Sequence, residues 1–139
     1  MTDFGGAKIA ILRGDNVLTL QRDDRPDIPY PGEWDLPGGG RERDETPIQT
    51  ATRELLEELN VRLDPNKIIY SAEELADNDS QERVHFFMAR WDDLFDDGII
   101  LGDEGLRWCW MPTPDFLSRK DVVKPLRGRL RRALKVRAF

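Results

Sequence analysis

Cysteine and histidine are nearly missing from this chain: Cys109 and His85 are the only ones. A single thiol cannot close an internal disulfide, which fits a reducing compartment and makes the cytoplasm the expected location. Zinc ligands are therefore wanting. A Ser-His-Asp or Cys-His mechanism would have to pass through His85, whose neighbours Val84, Phe86 and Phe87 read as a strand rather than a nucleophile motif. No apolar run approaches the length needed to cross a membrane, and Met1 to Gly6 does not resemble a basic and apolar export signal, so no membrane partner is expected. Repeats and low-complexity linkers are also missing. The 139 residues, 39% of them hydrophobic, are thus expected to form a single domain, 1–139, with a sizeable core.

The chain does have charge, unevenly spread. Its net charge is −6, yet from Arg119 onward there are nine Lys or Arg residues and only one acid, Asp121. An acidic body with a basic tail points to intramolecular docking. Val123, Leu126, Leu130, Ala133 and Leu134 recur at helical spacing, with Arg127, Arg131, Arg132 and Lys135 largely elsewhere, so the tail reads as an amphipathic helix with Pro125 in its first turns. No aromatic interleaving or recognisable motif accompanies the basic residues, which argues against a nucleic-acid partner.

Upstream, Ala7–Leu12 and Val17–Gln21 are apolar runs around Arg13-Gly14-Asp15-Asn16, the pattern of a hairpin. Arg22 to Gly32 is dense in Asp and Pro and reads as a stiff exposed loop, with Arg22, Arg25 and Tyr30 as candidate substrate contacts. Trp34 and Leu36 alternate in strand fashion. Further strands are expected at Lys67–Ala72 and Val84–Trp91, joined by a polar connection from Ser71 to Glu82. Ile99–Leu101 and Leu106–Met111 could supply another one or two. Trp108, Cys109 and Trp110 suggest one tryptophan toward the core and the other toward a pocket. A short helix is expected over Pro112–Leu117.

The stretch from Gly38 to Val61 organises the rest. Ile48, Ala51, Thr52, Leu55, Leu56 and Leu59 form a three-four stripe, Thr46 stands as N-cap, Pro47 as first helical residue, Gln49 completes a capping box, and Asn60 suits a left-handed stop. Glu54, Glu57 and Glu58 then converge on a patch about 5–6 Å across, with Arg53 as the local cation. On spacing alone, a solvated acidic face is the commoner case. In a cleft of effective dielectric near 20, however, two such carboxylates would repel by roughly 3 kcal/mol, a penalty that a hard divalent cation removes. The Gly38-Gly39-Gly40 turn just upstream can bring backbone close to a ligand, and Arg41-Glu42-Arg43 after it is not the Gly-Lys-Ser/Thr of a P-loop.

Gly39, five residues, Glu45, seven residues, then Arg53-Glu54-Leu55-Leu56-Glu57-Glu58-Leu59-Asn60-Val61 resembles the signature of the Nudix hydrolases, which cleave nucleoside diphosphates linked to another moiety. Asn60 replaces the family's usual Gly, and the preceding Trp34-Asp35-Leu36-Pro37-Gly38-Gly39 also looks like the family's. The resemblance implies an α/β fold, a Nudix-type α/β/α sandwich with a mixed central sheet. It implies Mg2+, with Mn2+ as a substitute, held by Glu57, Glu58, Glu54 and the Gly39 carbonyl. It further implies Arg53 as the residue orienting the glutamates, Gly38 and Glu45 as supports of the box, and Glu104, on the Gly102-Asp103-Glu104-Gly105 turn, as an extra ligand or base. Either Glu54 or Glu104 could deprotonate water. The expected substrate is a small nucleotide, most like those of MutT-type nucleoside triphosphate pyrophosphohydrolases, acted on by a monomer or homodimer. Members specialised for oxidised guanine use an asparagine near the C-terminal helix, and Asp121 to Pro125 offers none. An ADP-ribose or nucleotide-sugar diphosphatase, or a non-catalytic Nudix-fold binding module, is the alternative.

Overall fold

The computed structural model describes residues 3–76 and 81–137, so Met1 and Thr2 of the export-signal reading and residues 77–80 of the polar connection lie outside it. Apolar runs build the first hairpin, β1 (Gly6–Arg13) and β2 (Asn16–Gln21), turned at Gly14 with φ +57°. The two strands pair only at their tips, Leu12 and Arg13 opposite Val17 and Asn16. Beyond that they part. Two very short strands fill the fork: β3 (Trp34–Asp35) pairs with Leu20 and Gln21 of β2, and β4 (Gly38–Gly40) pairs with Gly6 to Lys8 of β1. Everything between them, Leu36 and Pro37, is thereby held in the middle of the molecule.

The sheet is completed by β5 (Ile68–Leu75), β6 (Arg83–Arg90) and β7 (Arg107–Pro112). β6 runs parallel to β1 along its whole length, β5 closes antiparallel on β6, and β7 covers the other edge of β2, giving seven strands of mixed direction. Both faces are covered. Ile9, Ile11, Phe87 and Ala89 pack with Ala51, Leu55 and Leu59 of helix α1 (Pro47–Leu59). Ala10, Leu12, Phe86 and Met88 point the other way, onto Phe116 of α2 (Thr113–Ser118) and Leu126, Leu130 and Ala133 of α3 (Lys124–Val136). Two apolar layers on either side of one sheet make the α/β/α sandwich, and they account for the near-continuous apolar run of β1.

Several expectations are corrected. Ile99–Leu101 is not a strand: Ile100 and Gly102 donate their N–H groups to the carbonyls of Leu59 (3.0 Å) and Glu58 (2.8 Å), so the segment caps the open end of α1. β5 continues to Leu75, and the Gly38–Gly40 turn is itself a strand. Thr52 is exposed, its hydroxyl donating back to Ile48, while Thr50 is the buried threonine and donates to Glu45. Trp108 and Trp110 sit two residues apart on one strand and so share the α1 face, with Cys109 on the other. His85 lies on the interior strand β6 and packs between Phe4 and Phe87.

Candidate active site

Local chemistry sets the helix that carries the acids. The Thr46 hydroxyl accepts from Gln49 N and the Gln49 side chain accepts from Thr46 N, so two otherwise unpaired donors are satisfied at the start. Asn60, with φ +60°, ends it. Burial of Ala51, Leu55 and Leu59 against the sheet fixes the rotation of α1, and this turns Glu54 and Glu58 toward the fork rather than into open water. Glu58 accepts a 2.8 Å hydrogen bond from Gly38 N. Gly39 leaves room for Glu54: a side chain there would begin 2.3 Å from a Glu54 carboxylate oxygen. At Gly38, φ is +135° and a Cβ would lie 2.1 Å from the Ala7 carbonyl oxygen, so only glycine fits the bend. The Gly39 carbonyl oxygen lies toward β1, 2.6 Å from where a Gly6 side chain would start.

Arg53 is the hub of the polar face. It donates to Glu45 through Nε (2.7 Å) and Nη2 (3.1 Å), to Glu54 (2.8 Å) and Glu57 (3.1 Å) through Nη1, and to the Gly40 carbonyl (2.8 Å). Glu45 also accepts from Thr50 and from Glu42 N, which ties the loop before the helix to its middle. The Arg53 guanidinium, with these other donors, holds the Glu45 carboxyl down at about 2. Glu54 and Glu58 move the opposite way. Burial raises both, Glu58 to about 8 despite Lys8 and the Gly38 N–H, with Asp35 and Glu54 adding repulsion. Glu57 and Glu58 also stand in the last turn of α1, where the helix dipole disfavours negative charge.

Glu54, Glu57, Glu58, Asp103 and Glu104 line one cleft of about 350 Å3. Among the described residues no three such side chains are already gathered as tightly as metal ligands. Arg53 holds Glu54 and Glu57, and Gly38 holds Glu58. The donor set nonetheless fits a hard divalent cation: every lining group is a carboxylate, and burial has raised Glu58, whose charged form a cation in the cleft would favour.

The family model of the NUDIX domain matches residues 4–133. This chain belongs to the Nudix hydrolases. Members of this family act on nucleoside diphosphate derivatives and generally use divalent metal ions. Mouse diphosphoinositol polyphosphate phosphohydrolase 3-alpha is 27% identical over 107 residues, 77% of this chain and 64% of that protein, so the Nudix chain matches less than two thirds of such relatives. Its fold is shared with a MutT protein from Methanosarcina mazei Go1 (TM-score 0.74, 19% identity, all of both chains). It is shared too with a Caenorhabditis elegans Ap4A hydrolase (TM-score 0.71, 22% identity, 96% of this chain and 99% of that one). Among the described residues, no helix is long and apolar enough to cross a membrane.

The loop residues expected to meet substrate in this Nudix chain are divided by the fork. Arg22 and Arg25 line a hollow of about 70 Å3 with Asp23, Asp35, Glu58 and Glu104, next to the carboxylate cleft. Tyr30 faces a different cleft of about 400 Å3, on the α3 side, whose walls include Lys8, Arg22, Val123 and Leu126. Sequence reasoning missed the group that separates these spaces. Asp35 is buried and pairs with both Lys8 (3.0 Å) and Arg22 (2.9 Å). The Lys8 ammonium also donates to the carbonyls of Leu36 (3.1 Å) and Gly38 (3.1 Å), so all three of its protons are used on the segment that carries Gly38. A lysine inside the apolar run of β1 was the available signal.

Proposed function

We propose that the chain hydrolyses a phosphoanhydride bond in a nucleoside triphosphate or related nucleoside diphosphate derivative, using Mg2+ or, as a substitute, Mn2+. The observation that carries this is the cleft walled by five carboxylates beside a glycine bend. When bound, the cation neutralises phosphate oxygens and makes water more acidic. Glu57 and Glu58 are its principal holders, with Glu54 as a further holder. Arg53 keeps Glu54 and Glu57 in reach of the cleft, and Glu45 in turn keeps Arg53 from swinging away. Glu104, exposed on the opposite wall and without a side-chain cation among the described residues, is the group best placed to accept a proton from water, with Glu54 as the alternative.

Charge separates the substrate classes. A diphosphoinositol polyphosphate needs many free cations, whereas here Lys8 and Arg22 are committed to Asp35 and Arg53 to glutamates. This supports a substrate with few phosphates, its remaining part reaching the hollow beside Arg22 and Arg25. A Mg2+-dependent phosphate-release screen over nucleoside triphosphates, ADP-ribose, sugar nucleotides, dinucleoside polyphosphates and a diphosphoinositol polyphosphate tests the reading. Turnover of a nucleotide is expected. Turnover of the inositol compound alone would overturn the substrate class, and binding of nucleotides without any turnover would make the chain a binding module.

A further inference from the structure

Glu104 lies on an exposed turn with no side-chain partner among the described residues, yet the backbone on both sides of it is tied down. Before it, Gly102 N donates to the Glu58 carbonyl of α1 (2.8 Å), and a side chain at Gly102 would begin 2.2 Å from the Glu57 carbonyl oxygen. After it, Gly105 N donates to the Asp23 side chain (3.0 Å) and Leu106 N to the Gln21 carbonyl (2.9 Å). Gly105 has φ +96°, so its amide is aimed by a conformation that other residues resist. Asp23 is itself fixed, because its carbonyl accepts from Gly32 N (3.0 Å) and Arg22 N donates to the Glu33 carbonyl (2.8 Å), closing the 22–32 loop at its base.

We infer that Asp23 is a positioning residue for Glu104, its carboxylate holding Gly105 so that the preceding glutamate overhangs the carboxylate cleft. The residues concerned meet in one place: Asp23, Glu104, Gly105 and Glu58 line the same small hollow. One wall of the cleft is thereby coupled to the loop that bears Arg22 and Arg25. Asp23 acts through a backbone amide, so its oxygen as an acceptor matters and its charge does not. This inference rests on the reading that Glu104 takes part in turnover.

The test is a double-mutant cycle on the full chain, with kcat, KM and thermal melting measured for Asp23→Ala, Asp23→Asn, Glu104→Gln and Asp23→Ala/Glu104→Gln, using whichever nucleotide the screen identifies. Asp23→Ala is expected to lower kcat by about tenfold with KM within about twofold, a loss of the size that sub-ångström misplacement of a reacting group produces. Asp23→Asn keeps an acceptor oxygen and is expected to recover most of that loss. In the Glu104→Gln background, Asp23→Ala should cost nothing more. Wild-type turnover in Glu104→Gln overturns the role of Glu104 itself. Impaired Glu104→Gln together with a further loss in the double variant, or Asp23→Asn as poor as Asp23→Ala, overturns the positioning role alone. If Asp23→Ala melts too low to assay, Asp23→Ser, whose shorter side chain withdraws the acceptor from Gly105 N, must show a kcat loss that disappears in the Glu104→Gln background, or the inference fails.

Discussion

The α1 and α3 helices have the same length, 13 residues, each with a proline in its first turn, and they cover opposite faces of one sheet. They treat charge in opposite ways. On α3 the cations are spent on structure: Arg127 donates to the Arg119 carbonyl, Arg131 to Leu117, Arg129 to Leu75, and Arg132 to the Glu74 carboxylate at 2.5 Å. The final turn carries Lys135, where the dipole favours it. On α1, by contrast, Arg53 pairs with Glu54 and Glu57 while Glu58 has only the Gly38 N–H, Glu57 and Glu58 stand in the disfavoured last turn, and Glu54 and Glu58 have carboxyls raised by burial. Charges paired along α3 hold the fold; the carboxylates crowded on α1 are the ones proposed to meet a ligand. The basic tail, which might be taken for a binding surface on composition, is thus docking within the chain.

The largest break in this comparison comes from the acids. Glu57→Gln or Glu58→Gln is expected to lower kcat by about a hundredfold or more while leaving the fold intact, because glutamine keeps the shape and, at Glu58, an acceptor for Gly38 N. Wild-type turnover in either purified variant would remove that residue from the metal site. Next in size is Lys8→Met. It would leave the buried Asp35 with Arg22 alone and two carbonyls without a donor, costing about 1–3 kcal/mol in denaturant unfolding. Turnover should fall as well, by roughly tenfold, since the same lysine fixes the Gly38 bend.

How much of this could be read from residues alone follows from distance along the chain. The capping box of Thr46 and Gln49, the Asn60 stop and the convergence of Glu54, Glu57 and Glu58 are helix geometry over three or four residues, and the structure has each of them. The Lys8–Asp35–Arg22 group was not legible, because its members are 27 and 13 residues apart and meet only when β1 and β2 part. Nor was that fork, since β3 and β4 are two and three residues long and carry no periodicity. Thr50 and Thr52 differ by a rotation of about 200° around the helix, and a hydrogen bond to Glu45 decided which went inside.

A pH titration sharpens the contrast without touching catalysis. In metal-free protein the Glu58 carboxyl titrates at about 8 when folded and near 4.5 when unfolded. Between these values the folded state holds a proton that the unfolded state has lost, so this group's contribution is present at low pH and is withdrawn as pH rises through about 8. Glu58→Gln escapes that withdrawal. With EDTA present, its melting temperature should exceed that of the wild type at pH 9 by on the order of 5 °C, and the two should converge below about pH 4.5. Mg2+ added to wild type at pH 8 should narrow the gap, and a gap independent of pH would show that Glu58 carries no such strain.

The smallest expected effect belongs to α3. Arg132 is more than half exposed while Glu74 is mostly covered, so the pair is screened on one side and its attraction is discounted accordingly. Arg132→Ala should therefore cost no more than about 1 kcal/mol in urea unfolding, with kcat and KM unchanged, since Arg132 faces the β5 edge and none of the carboxylate cleft. The contrast with Lys8 is the useful part: both are cations bound to an acid on the sheet, but Asp35 is buried and Glu74 lies at a rim. If Arg132→Ala lowered turnover as Lys8→Met is expected to, the division between structural charge on α3 and functional charge on α1 would not hold.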